Sequence, residues 1–503
     1  MARSSSLSTD DNEHKMKPGS DLQLEALPTS SKPDCFEEMT VEETQKACNK
    51  LVRHLDMRVM PILILLFILN ILDRSNIGNA KIAGMSKDLN LQGVDYNNLI
   101  LFTFVGYCIT QIPIGFFIAK VSPAFYLAVA AGCWGVVSMC CGFAHTYSAM
   151  SGLRFLVGCA EAPFFPGALL ILSTYYTRKE MPLRIASMYA ANSISNGFGG
   201  LLAAAIVSGL EGKAGLRGWR WLFIIEGLIT IFVAFGCFFI LPNLPAKTKW
   251  LSAEERRLTV WRIARDTAGD EDDANEVSKW QAVKLVAKDY KIVLLLLQQM
   301  CISCSQSFTY FFPTIVASLG FSTTGTQLLT APPYFFAFIC SIFAAWSSSR
   351  LNEKALHIGI PMVFCAVGNI LAITLPFDNI AGRYASMFLM CLGSYVAFNL
   401  SWAWISSTVA RPRAKRAGTF FLVNALANAS HFFTPYMFPS ADGPRFLPGG
   451  IALAVFCIAT AACAITIRFV LRGQNRKMDL LDEQDAPYTG GLEGLPRGYR
   501  FNY

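Results

Sequence analysis

The chain has 503 residues, of which 53% are hydrophobic and only 16% charged, with a net charge of +8. An ordinary soluble domain carries about 25% charge, whereas here charge collects at the two termini and between apolar blocks long enough to cross about 30 Å of hydrocarbon. That excludes a soluble enzyme core and indicates a polytopic helical membrane protein embedded in the lipid bilayer, because a bilayer tolerates only structures whose backbone groups are satisfied internally. The lysines and arginines are dispersed through loops and form no basic face, so no nucleic-acid partner is expected.

Residues 1–50 are rich in Ser, Asp, Glu, Lys and Pro, lack a signal-like apolar run, and are expected to be a disordered cytosolic tail. Apolar blocks follow at about 58–80, 97–119, 124–145, 150–176, 184–209 and 219–241, and a second set at about 291–316, 327–348, 356–376, 383–406, 416–438 and 448–470. The expected fold is therefore an all-α membrane protein with twelve transmembrane helices in two six-helix halves, residues 51–241 and 291–472. Residues 242–290 read as a cytosolic linker: in AEERRLTVWRIARD charges alternate with Leu258, Trp261 and Ile263 at helical spacing, and the acidic run DEDD follows. Residues 473–503 form a second cytosolic tail.

Arg53 and Arg58, then Arg178, Lys179 and Arg184, then Arg350 and Lys354, then Arg411, Arg413, Lys415 and Arg416, and finally Arg472, Arg476 and Lys477 all fall on one side if both termini are cytosolic. Lys81 and Lys87 in the first outward loop run mildly against this pattern. A duplicated six-helix plan with a long central loop is the architecture of parallel-repeat transporters, which hold their solute near the midplane between the halves. The turns GFFIAKVSP after the second span and AAWSSSRLNEK after the eighth occupy equivalent places. The fifteen cysteines sit mostly inside apolar blocks as small packing residues, and the single CxxC at Cys301 and Cys304 has no second pair, so no metal or other cofactor is expected.

A charge at the bilayer centre needs a partner or a watery cavity. Asp73 and Arg74 lie in the first span, about 15 residues or roughly 22 Å beyond Arg58. Arg154 and Glu161, seven residues apart, share one face of the fourth span. One reading is structural: the first pair marks the outer membrane edge and the second is a neutralised packing pair. The other is functional: the arginines attract an anionic solute through a planar fork that meets a carboxylate with two hydrogen bonds, while a carboxylate carries a proton. Gln298, Gln299, Ser303, Gln306, Ser307 and Tyr310 recur in the seventh span, with Gln299, Ser303, Gln306 and Tyr310 on one stripe. Asn399 in the tenth span and Asn424, Asn428 and His431 in the eleventh are further lining candidates, with interhelical hydrogen bonding the alternative for each. The sequon at Asn428 lies inside a span, out of reach of glycosylation. Small residues in NSISNGFGGLLAAAI suit a close, mobile fifth helix.

Several segments, in order and at the matching spans, carry a resemblance: DRSNIGNA at 73–80, RFLVGCAEAPFFPGALLILSTYYTRKE at 154–180, GWRWLFIIEG at 218–227, and FFPTIVASLGFSTTGTQLLTAPPY at 311–334. From about residue 50 onward the chain resembles the major facilitator superfamily and, within it, the fungal anion:cation symporters related to allantoate and nicotinate permeases. The resemblance implies that Asp73 and Glu161 couple protons, that Arg74 and Arg154 bind the anion, and that Asn76 neighbours the first pair. The sequence departs from the pattern at Ser349, where relatives place an Asp before Arg350, at Lys120 in KVSP, and around Pro412. The fifth span lacks the Gly-Pro arrangement of drug antiporters of that superfamily, which favours uptake over export.

The resulting expectation is a monomeric, multi-pass plasma-membrane transporter that carries a small organic anion with protons, the anion being a carboxylate such as a vitamin or nitrogen-source acid. The alternatives are an exporter of a metabolite or toxin and a non-transporting nutrient receptor of the same fold. No nucleophile or acid–base constellation sits at a span end, so an enzyme is not expected.

Overall fold

The structure, a computed structural model, describes residues 40–117, 122–177, 180–267, 284, 286–409, 413–443, 445–484, 486 and 499–503. The expectations placed on residues 1–39, Lys120, Arg178, Lys179, the acidic run at 270–273, Arg411, Pro412 and the greater part of 485–498 lie outside the described residues.

The first half comprises α1 (Val41–Ala80), α2 (Asp95–Phe117), α3 (Pro123–Cys141), α4 (Tyr147–Glu161) running on into α5 (Phe164–Tyr175), α6 (Met181–Leu210) and α7 (Gly218–Ile240). The linker contributes α8 (Ala253–Thr267). The second half comprises α9 (Tyr290–Gln306) with the short α10 (Phe312–Ala317), α11 (Thr323–Leu351), α12 (Ala355–Thr374), α13 (Ile380–Thr408), α14 (Arg413–Ala429) and α15 (Leu447–Glu483). Among the described residues, ten helical segments are long and apolar enough to cross a membrane. The two other expected spans are α2 and α14. α14 opens on a basic stretch and breaks into 3₁₀ turns at Ser430–Phe432 and Thr434–Met437, so its apolar run is short, yet it packs into the bundle with its neighbours.

Two element boundaries differ from the sequence reading. α1 begins at Val41, ten residues inside the segment assigned to the N-terminal tail. The cause is local: the Thr40 hydroxyl accepts from the Glu43 N–H and the Glu43 carboxylate accepts from the Thr40 N–H, a reciprocal cap that starts a helix. At the other end α15 continues to Glu483, and residues 499–503 return to the bundle. Asn475 exchanges two hydrogen bonds of 2.9 Å with the Phe501 backbone, Trp404 Nε1 donates to Asn502 O at 2.9 Å, and the Lys354 N–H donates to Tyr503 O at 2.7 Å.

Within the first half, α2 and α4 approach closely because each turns a glycine to the other's backbone. A Cβ on Gly158 would sit 1.9 Å from Thr103 O, and one on Gly106 would sit 2.2 Å from Phe155 O. This contact sets Arg154 against α1 and α2. Between the halves, α6 packs along α11. At the end of the bundle away from the termini, Tyr96 OH donates to Tyr310 O at 2.6 Å, Asn97 Nδ2 to Pro435 O at 2.8 Å, and Tyr436 OH to Asn98 Oδ1 at 2.6 Å. At the near end the linker grips the first half: Arg262 pairs with Glu180 at 2.6 Å, His54 with Glu255 at 3.0 Å, and Arg184 with Asp56 at 2.6 Å below it.

Candidate functional site

The halves enclose a central cavity of about 130 Å³. That is close to the engineered cavity of about 150 Å³ in another protein that holds one benzene. One part of the wall is aromatic. Tyr189 and Trp402, from opposite halves, stack with ring centres 4.8 Å apart, and Phe165 meets Trp402 at 6.1 Å, narrowing the cavity toward the termini. On another part of the wall, His431 stacks on Phe104 at 4.0 Å.

Arg74 reaches this cavity from α1 and is the lining side chain with a fixed formal charge among the described residues. Its Nε donates to Glu161 Oε2 at 2.5 Å, while its guanidinium lies 4.6 Å from the Tyr107 ring centre and 5.7 Å from that of Phe104. Glu161 is fully buried behind it, and its Oε1 has no hydrogen-bond partner among the described residues. A buried pair of this kind is stable only while each charge keeps its partner, because an uncompensated charge in low dielectric is costly. The two rings add cation–π support to the guanidinium.

The structure rearranges the pairs expected from helical spacing. Glu161 is bonded to Arg74 on another helix and not to Arg154 on its own. Arg154 is 2% exposed, lies behind the wall, and ties α4 to its neighbours: Nε donates to Thr103 Oγ1 and Nη1 to Asp73 O, each at 3.1 Å. Asp73 also turns away from the cavity, its Oδ1 accepting from Ser138 on α3 at 2.7 Å. The side chain that follows Asp73 in sequence lies about 100° round the helix, which is why Arg74 faces the solute space when Asp73 does not.

Of the remaining candidates, Gln306, Tyr310 and Asn424 line the cavity, as do Ser303, Asn428 and His431. Asn76 and Asn399 do not. Asn76 is fully buried and accepts from Asn79 at 3.4 Å, and the Asn399 amide is buried with no partner among the described residues. Gln299 is buried off the wall as well, whereas Ser303, Gln306 and, beyond a 3₁₀ turn over Ser307–Tyr310, Tyr310 itself line it. The sequence reading missed Asn70, Tyr107, Asn192, Asn196 and Thr309, all lining residues. The signal for two of these was present: Asn192 and Asn196 repeat, at the fifth span of the first half, the Asn-x-x-x-Asn spacing of Asn424 and Asn428 at the fifth span of the second.

The arrangement, a central cavity between the two halves lined by aromatic and polar side chains, is one that transporters use, and comparison with known proteins agrees. The sequence profile described as Major Facilitator Superfamily matches residues 63–435. The chain is 31% identical over 455 residues to the MFS-type transporter cnsO of Penicillium expansum, covering 88% of this chain and 87% of that protein. It is 32% identical over 439 residues to the uncharacterized transporter C1002.16c of Schizosaccharomyces pombe, covering 86% of each, and 28% identical over 483 residues to the major facilitator-type transporter hxnP of Emericella nidulans, covering 93% and 94%. In three dimensions it superposes on a bacterial homolog of the human lysosomal transporter Spinster, crystallised in an inward-facing, unoccupied conformation, with a TM-score of 0.60 at 17% identity over 82% of this chain and 94% of that one. With three quarters of its length inside the matched profile and its cavity where the two halves meet, the chain belongs to the Major Facilitator Superfamily and is a membrane transporter, not an enzyme.

Proposed function

We propose that this transporter carries a small organic anion, a carboxylate of vitamin or nitrogen-source-acid size, into the cell together with a proton. The single observation behind this reading is the Arg74–Glu161 pair on the cavity wall. A guanidinium already bonded to a carboxylate offers a carboxylate-shaped site, occupied for the moment by the protein's own side chain. When a proton reaches Glu161, Arg74 loses its counter-charge, and an incoming anion restores it. One proton and one anion therefore enter as a unit, and the buried charge stays balanced throughout.

Cavity volume supports a solute no larger than about one ring, and Tyr107, Gln306, Tyr310 and Asn424 supply neutral donors and acceptors around the guanidinium. In this reading Arg154 and Asp73 act from behind the wall: Arg154 holds the α1 backbone at Asp73, and Asp73 is a second candidate for proton coupling. Both halves of one chain complete the cavity, so a monomer suffices. Both termini are assigned to the cytosol and the protein to the plasma membrane, from the distribution of Lys and Arg at the span ends.

The test is uptake of a panel of labelled carboxylates, amides and amines by cells expressing the protein, at external pH 5 and 7. Carboxylate accumulation that rises at acid pH and disappears in Arg74→Ala is the expected result. Accumulation of neutral or cationic solutes alone, insensitive to pH, would overturn it.

A further inference from the structure

We infer that two pairs of asparagines, one pair from each half, form a clamp that reads hydrogen-bonding groups on both edges of the solute; this deepens the function proposed above and rests on it. On α6, Asn196 Nδ2 donates to Asn192 O at 2.9 Å and to Asn192 Oδ1 at 3.2 Å. On α14, Asn428 Nδ2 donates to Asn424 O at 2.8 Å and to Asn424 Oδ1 at 3.0 Å. The same bond pattern thus recurs at the fifth span of each half, and all four side chains are buried and line the one cavity.

The geometry dictates what each pair presents. An asparagine side chain offers two N–H donors and a carbonyl oxygen with two lone pairs. The intrapair bond engages the second amide as donor and the first as acceptor. The first residue's NH₂ group and the second residue's carbonyl oxygen then remain for the cavity, one turn apart. Asn424 Nδ2 lies outside the intrapair bond, buried beside Tyr107 on the cavity wall. Each half thus supplies a donor and an acceptor in a fixed order, held rigid because the intrapair bond fixes the rotamer. A buried amide left unpaired is penalised, so a solute that lacks matching groups is rejected more strongly than one that has them is gained.

The favoured ligand class is a small acid whose carboxylate meets Arg74 and whose two edges both carry hydroxyl or amide groups. A plain aliphatic acid satisfies Arg74 alone. Because the two pairs sit on opposite halves, such a ligand also bridges the halves.

The experiment uses purified full-length protein and four probes: butyrate, 2,3-dihydroxybutyrate, and the two corresponding neutral amides. Affinities are measured for the parent, Asn192→Ala and Asn424→Ala, with melting curves to confirm folding and Asn192→Ser and Asn424→Ser as milder versions. The parent should prefer the dihydroxy acid over butyrate, and each single variant should reduce that preference by about fivefold, the value of one lost hydrogen bond. A preference that is absent in the parent, or unchanged in all four variants, overturns the clamp. If the preference follows the asparagines among the neutral amides and the acids bind no more tightly than the amides, the clamp stands and the anion reading fails. If butyrate binds and Arg74→Ala abolishes it with no asparagine-dependent preference, the anion reading stands and the clamp fails.

Discussion

Glu161→Gln separates the proposed coupling mechanism from a purely structural salt bridge. The Nε–Oε2 distance is 2.5 Å and both groups are largely removed from solvent. At an effective dielectric of about 20, two unit charges at that separation attract by roughly 6 to 7 kcal/mol, before the cost of removing both from water is subtracted. After that subtraction, losing one member of a buried pair costs about 3 to 5 kcal/mol, because the other charge stays behind unpaired. Glu161→Gln should therefore lower the melting temperature of the empty protein and bind carboxylates more tightly, since Arg74 no longer has to release its own partner. A released charge-assisted bond is worth about 1.5 to 3 kcal/mol, or about one to two decades of affinity. The variant should also lose the dependence of binding on pH between 5 and 7 and fail to concentrate solute, while still exchanging it across a membrane. Equilibrium binding of labelled carboxylate at several pH values, with melting curves with and without ligand, provides the readout. If Glu161→Gln binds with the parent's affinity and the parent's pH dependence, Glu161 is a structural counter-ion and the coupling argument is wrong.

Arg154→Lys should cost about 1 to 2 kcal/mol of stability by losing one of two hydrogen bonds to Thr103 and Asp73, yet change carboxylate affinity less than threefold; a loss comparable to that of Arg74→Ala would return Arg154 to the anion site. Gly158→Ala forces a methyl against Thr103 O and should destabilise by about 1 to 3 kcal/mol, seen as a lower melting temperature with reduced transport; a parent-like melting curve would show that α2 and α4 part easily. At Glu255, burial raises the carboxyl, but the Ser252 N–H and the His54 ring outweigh it, holding the group below its ordinary value of 4.5. A carboxyl depressed in the folded chain contributes fully above its unfolded value and loses that contribution as pH falls through the folded value. Limited proteolysis of the detergent-solubilised protein should therefore find the linker helix α8 released only in acid below about 4.5; release that grows toward alkaline pH would refute the assignment.

The bundle itself was legible because a bilayer demands apolar blocks of fixed length, and the twelve blocks map onto the helices described above. The early start of α1 was legible in principle, as Thr40 and Glu43 carry the spacing of a reciprocal cap, but the polar composition of the segment concealed it. The cross-helix pairing was not. Spacing along one helix relates Arg154 to Glu161, whereas the partner Glu161 takes is set by how separate helices pack in three dimensions, which no single segment carries. Likewise the adjacent Asp73 and Arg74 read as one unit, although consecutive helical positions face different surroundings and only Arg74 reaches the cavity.

Two of the three hydrogen bonds that hold the halves together at the end away from the termini share an asymmetry with a genetic consequence. Tyr96 and Asn97 reach across with side chains, but what they grasp are the main-chain carbonyls of Tyr310 and Pro435. A carbonyl is present whatever residue bears it. Substitutions at 310 and 435 that preserve the backbone path leave these two bonds intact, while substitutions at 96 and 97 remove them; the third bond, from Tyr436 to Asn98, needs a side chain from each half. A saturation library selected for transport should therefore be more permissive at 435 than at 96 and 97, while 310, which also lines the cavity, and the Tyr436–Asn98 pair stay restricted.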